Sequence, residues 1–194
     1  MRDFIFYFKI GWSHIISFDA TDHLYFIAAL TIIYVAADWK KVLVLVTAFT
    51  IGHAITLYLS AMDLFRISSA WVEFIIPLTI ALTATKNLLV QSSSHIANRL
   101  QYLMALFFGM IHGLGYANYI RVMLSAEQSL VWGLFSFNVG LEIGQIFVVL
   151  VVLLISWFLH RYNIISHKLL IVLFSIVILA LSIFMAYQRI PFFQ

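Results

Sequence analysis

Six apolar stretches, near 22–37, 41–62, 70–90, 99–124, 129–160 and 168–188, follow one another with only short polar connections between them. A helix that crosses a bilayer needs about 20 mostly apolar residues. The pattern therefore predicts an all-α, polytopic membrane protein: a single transmembrane domain over 1–194, built as a bundle of six spans. A soluble domain carries about a quarter charged residues, whereas here the charged share is 10% and the hydrophobic share 64%. The stretch at 129–160 is long for one crossing and is expected to tilt or project.

Ahead of the spans lies MRDFIFYFKIGWSHIISFDAT, aromatic-rich and interrupted by Lys9, His14 and Asp19. Lys9 breaks the apolar run and no small-residue cleavage site follows, which disfavours a signal peptide. A short interfacial or half-buried N-terminal helix is expected instead, with Trp12 near the headgroups. The loops at 38–41, 86–99 and 161–168 hold Lys40, Lys41, Lys86, Arg99, Arg161 and Lys168. By the positive-inside rule those loops are expected in the cytoplasm, with both termini periplasmic.

Polar residues at membrane depth are the informative exceptions. The stretch LFFGMIHGLGYANYIR, Leu106–Arg121, carries His112 among Gly109, Gly113 and Gly115. An ionisable group at such depth is costly unless it faces the protein interior and has a partner, and glycines let a neighbouring helix approach closely. Counting at about 1.5 Å per residue, His23, His53, Glu73, His112, Asn138 and Glu142 fall in one outer-to-middle layer although they sit on five different spans. Asn138 and Glu142, four apart, share a helix face. Asp19, Asp22 and His23 share another if that segment is helical, with His14 close by; Asp19 or Thr21 could equally cap the helix. Pro77 lacks the N–H that would bond the Glu73 carbonyl, freeing a backbone oxygen beside that carboxylate.

The chain has no cysteine, so any metal would be held by nitrogen and oxygen. Histidines with Asp and Glu suit zinc, nickel or cobalt, and also manganese or iron. Three uses stay open. A permease would capture a divalent ion at the outer face and pass it on to deeper carboxylates. A zinc-dependent intramembrane hydrolase would keep an open metal position for water, with Glu73 or Glu142 as general base. A scaffold would use the same groups only to join helices.

Several motifs carry a resemblance: Asp22-His23-Leu24, the run Thr47–Leu57 around Gly52-His53, Val72-Glu73, Phe108–Ala117 around His112, and Asn138–Gln145 around Glu142. Together, over roughly Gly11 to Gln145, they look like the HupE/UreJ family of hydrogenase and urease accessory membrane proteins, in its compact branch. The resemblance implies a six-span bacterial inner-membrane protein handling nickel or a related divalent metal. In the nickel-permease branch a His precedes Asp-His by five residues; here seven residues separate His14 from Asp22.

The sequence reading is thus a divalent-metal uptake or delivery protein. Asp22, His23, His53, Glu73, His112 and Glu142 are the expected metal residues, supported by His14, Asp19, Asn138 and Gln145. Metal ion and membrane lipid are the expected partners, with no nucleic acid; a homo-oligomer is compatible with the same features. His95, His160 and His167 lie in or beside basic loops and are expected to be solvated or snorkelling.

Overall fold

The computed structural model describes residues 2–17, 21–64, 67–89, 95–124 and 130–191. Among these the chain is all-helical: α1 (Arg2–Ile16), α2 (Thr21–Thr31), a 3₁₀ turn (Ala36–Asp38), α3 (Trp39–Ala61), α4 (Ser69–Leu89), α5 (His95–Leu124), α6 (Leu130–Arg161) and α7 (His167–Gln188). Five segments are long and apolar enough to cross a membrane: Ala36–Ala61, Ser69–Leu89, Arg99–Ala117, Leu130–Arg161 and His167–Gln188. Their bounds fall within seven residues of five of the expected spans.

The first expected span, 22–37, differs. α2 has 11 residues, about 16 Å of helix, roughly half of a bilayer core. It stops at Thr31-Ile32-Ile33, three β-branched residues in succession, which lose side-chain freedom in a helix. The chain then turns, with the Tyr34 amide donating to the Thr31 carbonyl at 3.0 Å, and Val35 is extended. The two ends of α2 nevertheless meet different parts of the bundle. Asp22 meets Arg189, just past the C-terminus of α7, whereas Asn87, near the end of α4, donates to the Ala29 carbonyl at 2.7 Å.

Helix ends are closed by local chemistry. α3 and α6 each finish with a left-handed residue, Asp63 (φ 58°) and Asn163 (φ 52°). The next amides, Leu64 and Ile164, reach back to Leu59 and Leu159 at 3.0 Å, the six-residue closure that satisfies a free helix carbonyl. α7 starts at Ser166, whose hydroxyl accepts from the Leu169 amide at 3.3 Å.

Two glycine seams fix which helices touch. Across α3 and α5, a Cβ on Gly52 would strike the Leu106 carbonyl, and one on Gly109 the Phe49 carbonyl. Across α1 and α6, a Cβ on Gly11 would strike the Phe137 carbonyl, and one on Gly140 the Phe8 carbonyl. Helices associate in lipid through this kind of close backbone approach, because lipid tails give little hydrophobic drive between them. The second seam also places α1, which lies along α6 with Tyr7, Gly11 and Ile15 buried.

Candidate metal centre

The seams bring four imidazoles together. α1 supplies His14 near its end, α2 supplies His23 in its first turn, and the α3–α5 seam supplies His53 and His112 from facing positions. One ring nitrogen from each of His14, His23 and His53 lies within 4.8 Å of the others. The rings of His14 and His23 are 4.6 Å apart between centroids, and those of His23 and His112 are 4.9 Å apart. His53 and His112 are only 0% and 1% exposed. Phe26, Phe49, Phe137 and Tyr116 wall the cluster, with the Tyr116 ring 4.0 Å from that of His14.

Each imidazole keeps a buried nitrogen with no hydrogen-bond partner: Nε2 of His14, Nε2 of His23, both nitrogens of His53, and Nδ1 of His112. An unsatisfied buried polar atom costs about 1–3 kcal/mol, and native proteins hold only a few. Several of them converging on one point match the donor set of a borderline divalent ion.

Two of the rings are oriented from behind. The Asp22 carboxylate accepts from Nδ1 of His23 at 3.1 Å, leaving Nε2 as the lone-pair nitrogen. Its other oxygen accepts from Arg189 at 3.3 Å. Asp22, expected as a ligand, thus has both oxygens engaged. The arrangement is the carboxylate–histidine pairing that fixes tautomer and ring direction at metal sites. On α4 the Thr79 hydroxyl gives its proton to the Ile76 carbonyl at 2.7 Å, so it accepts from His112 Nε2 at 3.4 Å. Nδ1 of His112 is then the free lone pair. Thr79 bonds Ile76, and not the Glu73 carbonyl that Pro77 leaves without its helical partner.

Other expected residues fall elsewhere. Glu73 is exposed at the rim of the cavity, apart from the imidazoles. Glu142 is half-buried and accepts from the Thr47 hydroxyl at 2.6 Å, and buried Gln145 accepts from Thr50 at 2.9 Å. These two make a polar pair between α3 and α6. Asn138 donates to the Leu134 carbonyl and leaves its own oxygen buried without a partner. Asp19 lies outside the described residues, as does the side chain of His95. His160 is exposed as expected, but His167 buries Nε2 without a partner.

Sequence reasoning placed His14 in a supporting role and missed Tyr116 and Arg189. Tyr116 stands four residues past His112, a spacing that puts it on the same face of α5. Nothing in the sequence around Arg189 marks it.

His14, His23 and His112 line a cavity of ≈ 820 Å³ together with Lys9, Glu73, Tyr116, Tyr119 and Arg189, and His53 lies buried behind them.

The family model described as HupE / UreJ protein matches residues 1–189. The chain belongs to the HupE/UreJ family. The match spans essentially the whole chain, α7 included, and so extends beyond the motifs that carried the resemblance. No curated protein and no solved structure matches the chain. As a HupE/UreJ protein with five long apolar helices, it is a membrane protein of a family tied to metal handling.

Proposed function

We propose that this HupE/UreJ protein captures a divalent transition-metal ion as cargo and passes it across or out of the bilayer. The observation that carries the reading is the set of unpartnered nitrogens on His14, His23 and His53, one from each within 4.8 Å of the others. Nitrogen ligands without thiolate suit nickel, cobalt or zinc. His112 lies beside the trio as a fourth donor, Asp22 and Thr79 hold rings in place, and Glu73 at the rim offers a first carboxylate to an arriving ion. Glu142 and Gln145 extend the polar groups past the histidines on α6, where a carboxylate offsets the ion's charge.

In this reading 21–38 makes a sixth crossing, with α2 followed by a turn, extended Val35 and the 3₁₀ turn, and the cavity opens on the periplasmic side of an inner membrane. A single transmembrane domain then carries the whole activity. The test uses wild-type protein in sealed proteoliposomes, with Ni²⁺, Co²⁺ and Zn²⁺ offered separately under an imposed gradient. Saturable uptake of at least one, slowed by Glu142→Gln and unchanged by His160→Ala, is the expected result.

One observation favours a second reading. The cavity, at ≈ 820 Å³, lies in the range of small-molecule sites, about 300–1,000 Å³, and Phe6, Tyr116 and Tyr119 give part of its wall an aromatic face. A zinc-dependent intramembrane hydrolase acting on an amphiphile would use that room, with Glu73, which lines the cavity, as general base. Firm zinc retention together with no flux of any of the three ions would select it.

A further inference from the structure

We infer that the ion's path beyond the histidines follows a buried polar stripe on α4 – Thr79, Thr83 and Asn87 – to an exit beside Gln101, where Lys86 is the electrostatic barrier. The inference rests on the uptake reading above and adds the route.

Thr79, Thr83 and Asn87 are four residues apart in turn, so they share one face of α4. Each is 5% exposed. Eight residues of helix carry this face about 12 Å from the level of His112 toward the far end of the bundle. Thr79 touches His112 directly. Thr79 and Thr83 give their hydroxyl protons to backbone carbonyls of their own helix, Ile76 at 2.7 Å and Thr79 at 2.9 Å. Their oxygens therefore keep lone pairs, which attract a cation and offer nothing to an anion.

At the lower end Thr83, Lys86, Asn87, Gln101 and Met104 surround a cavity of ≈ 10 Å³, about the room one water requires. The Gln101 side-chain oxygen, Oε1, accepts from the Tyr34 hydroxyl at 2.8 Å, so the stripe is continued by groups from α5 and from the segment after α2. Lys86 places its ammonium 4.0 Å from the Met104 sulfur. An ion leaving this cavity meets that positive charge in surroundings of low dielectric, where repulsion is strong.

α6 offers no comparable descent. Past Gln145 its buried positions are Val149 and Leu153, and the next buried polar side chain is Ser156, eleven residues on and about 16 Å away.

The experiment measures uptake of Ni²⁺, Co²⁺ and Zn²⁺ into proteoliposomes alongside metal content of the same preparations. Thr83→Val and Asn87→Val should keep wild-type metal content and lose at least tenfold in flux, Ser156→Ala should keep both, and Lys86→Gln should raise flux several-fold. Because the chain contains no cysteine, Thr83→Cys supplies a unique thiol. It should react with 2-aminoethyl methanethiosulfonate, and added metal should slow the reaction, while Val149→Cys should stay unlabelled. Wild-type flux in Asn87→Val, or labelling of Val149→Cys and not Thr83→Cys, overturns the route while leaving uptake intact. Unchanged or lower flux in Lys86→Gln overturns the barrier. Absence of flux in the wild-type protein overturns uptake itself, and the route with it.

Discussion

The Asp22 carboxylate lies 3.1 Å from Nδ1 of His23, and its second oxygen is held at 3.3 Å by Arg189, 167 residues along the chain. The first turn of α2 and the end of α7 are thereby joined at the rim of the histidine cluster. Asp22 acts on the site through the ring that it orients. Asp22→Asn should keep full metal content at saturation and weaken affinity about 10- to 100-fold, the usual effect of losing such a partner. Titration against a competing chelator in detergent measures it. His23→Ala, by contrast, should remove the ion from purified protein altogether.

His14 belongs to the same tight group as His53, and the two should behave alike. His14→Ala and His53→Ala should each abolish stoichiometric metal in protein purified without chelator, read by elemental analysis. His112→Ala removes a neighbouring donor and should be similarly severe, whereas His160→Ala, exposed near the end of α6, should leave the content unchanged. Retention of metal by His14→Ala would return that residue to a supporting role.

Thr79 tests whether the tautomer of His112 matters. Thr79→Val preserves shape but takes away the acceptor that fixes Nε2–H. Affinity should fall about tenfold or more with little change in thermal stability, and Thr79→Ser should restore it. A merely structural hydroxyl would show the reverse pattern, a lower melting temperature with unchanged affinity.

The glycine seams make a stability prediction with a built-in control. A Cβ on Gly109 would collide with the Phe49 backbone carbonyl, which cannot move without shifting α3. Gly109→Ala should therefore destabilise by about 1–3 kcal/mol, as overpacking does, visible as a lower melting temperature in detergent. At Gly115 the added carbon would meet the end of the Ile76 side chain at 3.0 Å and a Val72 methyl at an ordinary 3.6 Å. Gly115→Ala should be tolerated, because a flexible methyl can give way.

The sequence by itself determined the class of molecule and the expected level of its polar groups. Twenty uncharged residues such as those at 169–188 have one stable solution in lipid, a helix that satisfies its own backbone. A fixed rise per residue then gives His53 and His112 one coordinate, their level. The motifs around His23, His53 and His112 likewise pointed to the family that the whole chain matches. The other two coordinates, rotation about each helix and the identity of the neighbour, were decided only by tertiary packing. Where backbones meet at Gly52 and Gly109, or at Gly11 and Gly140, the rotation of each helix is set, and with it which imidazoles face one another. That is why His14 joins the trio and Glu142 turns to Thr47. It is also why Asp22 is engaged by an arginine from the far end of the chain. The halt of α2 at Thr31 was equally out of reach, since an apolar run of that length reads as a full span until its β-branched end is packed. Level is a property of one helix, whereas facing is a property of two.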